Sequence, residues 1–165
     1  MPITLTYHPN EGVLLGEDLL LWGSDRQQTR TVINGEFEIS DNVIDLGDAS
    51  QNITLHRDIY ENYQGQANFF FLNFDEDEKL SEVEVHHGLI IKVDGVVIDF
   101  SMDLEKAAAL LERISGDRQR LPDGGYFFKA LKLTIANGET MGGEGIQLSY
   151  FYCSNDVSHL VNNEI

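Results

Sequence analysis

Residues 67–100 read ANFFFLNFDEDEKLSEVEVHHGLIIKVDGVVIDF, and they place the chain among sheet-forming proteins. Residues 67–74 are an apolar run too short to favour a buried helix and aromatic enough to favour a central strand. Residues 75–78 then form the tip of a turn. From Leu80 to His87, alternation with a period of two sets Leu80, Glu82, Glu84 and His86 on one face and Ser81, Val83, Val85 and His87 on the other. The valine face is expected to point inward and the glutamate face outward. Asp94-Gly95 joins two runs rich in β-branched residues, 89–93 and 96–100. Asp-Gly tolerates the positive φ angles of a two-residue type I′ turn, so a hairpin is expected there.

Working outward, Asn34-Gly35 lies between two alternating segments, 29–33 and 36–40, and is read as a second hairpin. Residues 127–135 read as one strand, joined through Asn137-Gly138 and a glycine-rich loop to a strand over 146–153. Residues 13–15 and 19–22 are short strand candidates, and 56–63 fit a helical turn. One segment reads as a helix. Asp103 is placed to cap its first amides, Gly116 to close it, and Leu104, Ala107, Ala108, Leu111 and Ile114 form its apolar face. The small alanines let such a helix lie close on a sheet. The expected fold is therefore a single α+β domain over residues 1–165. It is mainly an antiparallel β-sheet of several hairpins, with one principal helix at about 103–115 packed on it and a polar tail from about 154 to 165 that makes at most one helical turn before it frays.

Composition narrows the function. Against 28 Asp and Glu stand 11 Lys and Arg, a formal charge of −17. Such a chain lacks the clustered cations that grip phosphate backbones, so direct nucleic-acid binding is not expected. The same field draws in and orients a basic protein partner. No apolar run approaches the ~20 residues of a membrane span, and the first residues lack a basic, apolar leader, so the cytoplasm is the expected compartment. Cys153 is the one cysteine. It can make no internal disulfide or thiolate zinc site, and its place late in an aromatic strand favours burial.

The charge is uneven: residues 75–105 hold ten acids against Lys79 and Lys92. Asp75, Glu76, Asp77 and Glu78 at the turn, with Glu82 and Glu84 along the following strand face, are expected to form an acidic ridge with His86 beside it. Solubility and protection of sheet edges also call for such charges. Asn73, Asp75, Asp77, Leu80 and Glu84 echo calcium-loop spacing. The loop's sixth position is Glu78 where glycine is normal, and the flanks read as strands, so no metal is expected. His86 and His87 point to opposite faces, and His8, His56 and His159 have no ligand spacing. There is no Gly-x-Ser-x-Gly elbow and no phosphate-binding loop, so no catalytic residue, cofactor or enzymatic activity is assigned.

The run from Phe69 to Val85, with its aromatic strand, acidic turn and acid-alternating strand, resembles bacterial toxin immunity proteins of the contact-dependent and polymorphic toxin type. The resemblance covers residues 68–114. It implies a non-enzymatic inhibitor that neutralises a cognate basic toxin, for example a nuclease, by stoichiometric binding over its active-site cleft. Asp75, Glu76, Asp77, Glu78, Glu82, Glu84 and His86 are the expected partner-binding residues. The alternatives are a small-molecule module with its ligand between sheet and helix, lined by Phe and Tyr side chains, or a hydrolase using two carboxylates.

Overall fold

The computed structural model describes residues 2–44 and 53–161. Two sheets share one hydrophobic core. Strands β1 (Ile3–His8), β2 (Gly12–Leu15) and β3 (Asp18–Leu21) form a meander. Helix α1 (Arg26–Ile33) follows, then β4 (Glu38–Ile39) and β5 (Asn42–Ile44), which both pair with the long β6 (Ile53–Glu61). Next come β7 (Phe69–Phe74), β8 (Leu80–His87) and the hairpin of β9 (Leu89–Val93) and β10 (Val96–Ile98). Helix α2 (Leu104–Ser115) leads to β11 (Gln119–Arg120), β12 (Tyr126–Phe128), β13 (Leu133–Asn137), β14 (Leu148–Ser154) and the one-turn α3 (Ser158–Val161). The smaller sheet runs β10-β9-β1-β2-β3, with β1 and β9 parallel. The larger runs β11-β12-β13-β14-β8-β7-β6-β4 and is antiparallel throughout.

The α+β class, the mainly antiparallel sheets and the principal helix are as expected. The aromatic run is the inner strand β7, with Phe70, Leu72 and Phe74 buried. Asp94 and Gly95 both take positive φ, 45° and 85°, and close the β9–β10 hairpin. In α2, Leu104, Ala107, Ala108 and Leu111 are buried against β10, β12 and β13. Asp103 occupies the cap position in extended conformation, but its side chain makes no cap bond. Instead the Leu104 N–H bonds the carbonyl of Ile146 at 2.9 Å, tying the start of the helix to the loop that leads into β14. Cys153 is fully buried. The two sheets meet around Tyr7, whose hydroxyl donates to the Leu131 carbonyl at 2.6 Å and whose ring meets Phe151 edge-on at 6.3 Å. Among the described residues no helix is long and apolar enough to cross a membrane.

Three expectations are corrected. Asn34-Gly35 does not turn a hairpin. Asn34, at φ 53° and ψ 46°, ends α1 in the left-handed conformation, its N–H bonding the Arg30 carbonyl at 2.9 Å. The helical period was hidden because its buried positions are Arg26, Thr29 and Ile33, and a buried arginine does not count as apolar. Residues 56–63 lie in strand β6 up to Glu61, where Tyr60 stacks on Phe70 at 5.2 Å, and the tight turn begins only at Tyr63. The strand read over 127–135 is broken by a turn at Lys129–Leu131 with Lys132 at φ 54°, so β12 and β13 fold back on each other. Within the expected tail, β14 runs on to Ser154 and a single helical turn, α3, follows as the sequence allowed. Ser154 is buried and bonds the Ser81 carbonyl, and Val157 packs with Phe127 and Tyr152 on the outer face of the larger sheet. The remainder of the expected tail, 162–165, lies outside the described residues.

Candidate functional site

The residues expected to form one acidic ridge divide into three groups. At the β7–β8 turn, the Asp75 carboxylate accepts from the backbone N–H groups of Asp77 and Lys79 at 2.9 and 3.0 Å, which shapes the turn. Glu78, at φ 58°, accepts from Arg26 Nη1 at 3.1 Å. Glu76 and Asp77 are exposed at the tip. On β8 Glu82 and Glu84 face away from the core as expected, but Leu80, expected on their face, is buried in the core, His87, expected inward, is exposed, and the face is not an open acidic surface. Glu84 accepts from Tyr150 at 2.5 Å, Asn73 Nδ2 at 2.6 Å and Arg57 Nη2 at 2.8 Å. Glu82 accepts from Tyr152 and from Asn73 Nδ2 at 3.1 Å. Burial first, and the adjoining carboxylates second, push both tyrosine pKa values up, so the hydroxyls stay protonated and donating. His86 lies among the rings of Phe71, Phe69 and Tyr150, at 4.5, 5.3 and 5.5 Å, and burial holds its pKa below the ordinary value. The continuous ridge through Glu82 and Glu84 is thus corrected: tyrosines from β14 and Arg57 from β6 cover and compensate it.

A second network fastens the acidic turn to α1. Arg26 is 4% exposed and bonds Asp58, Asp41 and Glu78, while Arg30 bonds the same Asp58. Burial alone would lower the Arg26 pKa, but these three hydrogen-bonded carboxylates hold it above its ordinary value. The Arg26 bond, helped by His56 and the Arg57 N–H, holds the Asp41 carboxyl well below the usual carboxylate range. A carboxyl whose folded pKa is depressed contributes stability that is complete above its ordinary value of about 3.9 and drains as pH falls below it. Asp41→Asn is therefore expected to lower stability at neutral pH and to flatten the acid limb below roughly pH 4. Urea midpoints measured across that range, wild type against variant, check it; parallel curves would sink the idea.

Four further acids stand together at one end of the larger sheet. Two adjoining cavities of about 520 and 420 Å³ sit where the β4 end of the larger sheet approaches the β3 end of the smaller. Both are lined by Glu36 and Glu61; Asp18 lines the first and Glu38 the second, and no Lys or Arg lines either. Among the described residues none of these four carboxylates has an ion pair. Phe37, Ile59 and Phe69 supply apolar lining. Tyr63 walls the first cavity, donating to the Ile33 carbonyl at 3.0 Å and to Asp18 at 3.4 Å. Gly35 permits this, since a Cβ there would sit 2.8 Å from the Tyr63 ring. The groove was not singled out in the sequence. Its one local signal is the alternation Glu36-Phe37-Glu38-Ile39, whereas Asp18 and Glu61 reach it only through the fold.

Among the described residues no three His, Cys, Asp or Glu side chains converge as a metal would require. In the seam between α2 and the strands, Ala107, Ala108 and Leu111 are fully buried. No family model, curated protein or solved structure was found to match this chain. The functional reading therefore rests on the groove and its charge.

Proposed function

We propose that this chain is a non-enzymatic acidic binding protein that captures a basic protein partner by stoichiometric contact, in the manner of a bacterial toxin immunity protein. The observation that carries this reading is the groove of Asp18, Glu36, Glu38 and Glu61, apolar on one side and with no Lys or Arg among its described lining residues. Unpaired carboxylates repel one another and gain little from the fold, whereas an incoming cation relieves that repulsion and steers the encounter. A toxin that acts on nucleic acid must carry a positive cleft, so acids held in a groove compete for the same cations. Glu76 and Asp77, exposed at the β7–β8 turn, add to the long-range field. The same charge disfavours direct contact with nucleic acid. The compartment in this reading is the cytoplasm, where a cell's own protection against a delivered toxin must act.

The test is a calorimetric titration at low and high salt against the C-terminal domain of a large secreted protein encoded beside this chain, with a growth-rescue assay. Tight 1:1 binding and rescue are expected. Reversing Glu36, Glu38 and Glu61 together to lysine should weaken binding by ~30-fold or more, the scale of losing a desolvated charge contact. Reversing Glu76 and Asp77 should chiefly slow association and reduce its salt dependence. Absence of binding and of rescue would remove the immunity reading; binding indifferent to the groove triple variant would displace the surface.

A further inference from the structure

The basic partner of the reading above, on which this inference rests, has a shape that the sheet edge specifies. We infer that it enters as an extended segment alternating lysine or arginine with apolar residues, and that it adds as a strand to the outer edge of β4.

Strand β4 ends the larger sheet, and among the described residues nothing pairs with its outer side. The register opposes Glu38 to Ile59 and Ile39 to Asp58, and the Ser40 N–H bonds the Arg57 carbonyl at 2.9 Å. In an antiparallel ladder this makes Glu38 the residue that exchanges both bonds with β6 and turns the N–H and C=O of Ile39 outward. No described residue takes those two groups. They form a template for one further strand, the liability that sheet edges carry and the mode by which extended peptides are captured.

The side chains say which strand. Glu36 and Glu38 fall on one face of the edge, together with Glu61 two residues from Ile59 on β6, while Phe37 and Ile39 fall on the other. Phe37 and Ile39 are 38% and 57% exposed. A strand laid beside β4 therefore meets carboxylates at every second residue and apolar side chains between them. Opposite charges across neighbouring strands stabilise the pair and like charges oppose it. A second copy of this chain is the wrong occupant for that reason: edge-to-edge pairing brings Glu36 and Glu38 of both molecules onto one face of the seam.

The probe is a labelled, end-blocked peptide of sequence Lys-Val-Lys-Thr-Lys-Val-Lys, titrated by fluorescence anisotropy at low and at physiological ionic strength. Binding is expected, weakened by salt. The same residues in a blocked, non-alternating order should bind at least tenfold less well, as should the peptide with alternate backbone amides methylated. Slowed hydrogen exchange at the Ile39 amide of the wild-type protein on peptide addition is the second readout, and it needs no variant. Ile39→Pro, which deletes an N–H outside the existing ladder, should abolish the alternation preference. Equal affinity for the methylated peptide, or unchanged exchange at Ile39, overturns strand addition while leaving the toxin titration free to succeed. Dimerisation of the chain that Ile39→Pro abolishes would make a second copy the occupant and overturn the inference. Peptide binding together with a failed toxin titration would keep the strand receptor and remove the immunity reading.

Discussion

Asp58→Asn is expected to destabilise the protein by about 3 to 5 kcal/mol, the usual consequence of removing one partner from a buried charge cluster. Asp58 is fully buried and accepts four hydrogen bonds, two from Arg26 at 3.1 and 2.7 Å and two from Arg30 at 2.8 Å each. The isosteric amide keeps the volume and loses the charge, and its NH2 group then faces guanidinium donors. Arg26 keeps Asp41 and Glu78, but Arg30 loses the carboxylate it bonds and cannot shed its proton, so its charge stays in the fold uncompensated. For a chain of this size, at roughly 2–4 °C per kcal/mol, the thermal midpoint should fall by roughly 6–20 °C. The consequence extends to the groove, because the Arg30 guanidinium lies 4.3 Å over the Phe37 ring and steadies the segment that carries Glu36 and Glu38. Circular dichroism melts of Asp58→Asn and of Lys79→Ala make the comparison. The Lys79–Asp25 pair is exposed and its loss should barely move the midpoint. Equal small shifts in both would show that the Arg26–Asp58–Arg30 cluster does not hold the fold.

The second large effect is at Gly88, where the chain leaves the larger sheet after β8 and enters the smaller one at β9. Its φ is +84°, and a Cβ there would sit 1.8 Å from the Ala67 carbonyl oxygen and 2.5 Å from the Asn68 Cα. Both obstacles are backbone, so no rotamer change relieves them. Gly88→Ala is expected to cost at least about 3 kcal/mol, combining left-handed strain with the forced separation of β8 from the segment before β7. Gly65→Ala is the control: φ is +72° with nothing within 4 Å of the new Cβ, so only the conformational cost of about 1–2 kcal/mol applies. Urea denaturation and soluble yield of the two variants report the difference. If both lose stability equally, the close approach at Gly88 is not what positions the crossover.

Several elements were legible because their causes are local. The Asp94-Gly95 hairpin, the alternation of β8 from Glu82 to Val85, the aromatic β7 and the apolar stripe of α2 each follow from sterics and periodicity within a dozen residues. Asn34-Gly35 shows the limit of that logic. The pair supplies positive φ wherever it occurs, and whether it turns a hairpin or ends a helix depends on what precedes it. Here the preceding Arg26 is buried only because Asp58, Asp41 and Glu78 are brought to it from β6, the segment after β4 and the β7–β8 turn. The charged face of β8 shows the same limit. Glu82 and Glu84 do point away from the core, but Tyr152 and Tyr150 arrive from a strand some seventy residues later and close over them.

By itself the sequence determined the turn positions that tolerate positive φ, the α+β pattern, the central aromatic strand, and a charge of −17 that favours a cationic partner. Those properties depend on backbone sterics, on side-chain period and on composition, none of which needs distant residues. Only the tertiary structure decided which carboxylates are spent and which are free. An ion pair forms according to separation in space, so Arg26 and Arg57 claim Glu78 and Glu84 from across the sheet, while Asp18, Glu36, Glu38 and Glu61 meet at a sheet end with no ion pair among the described residues.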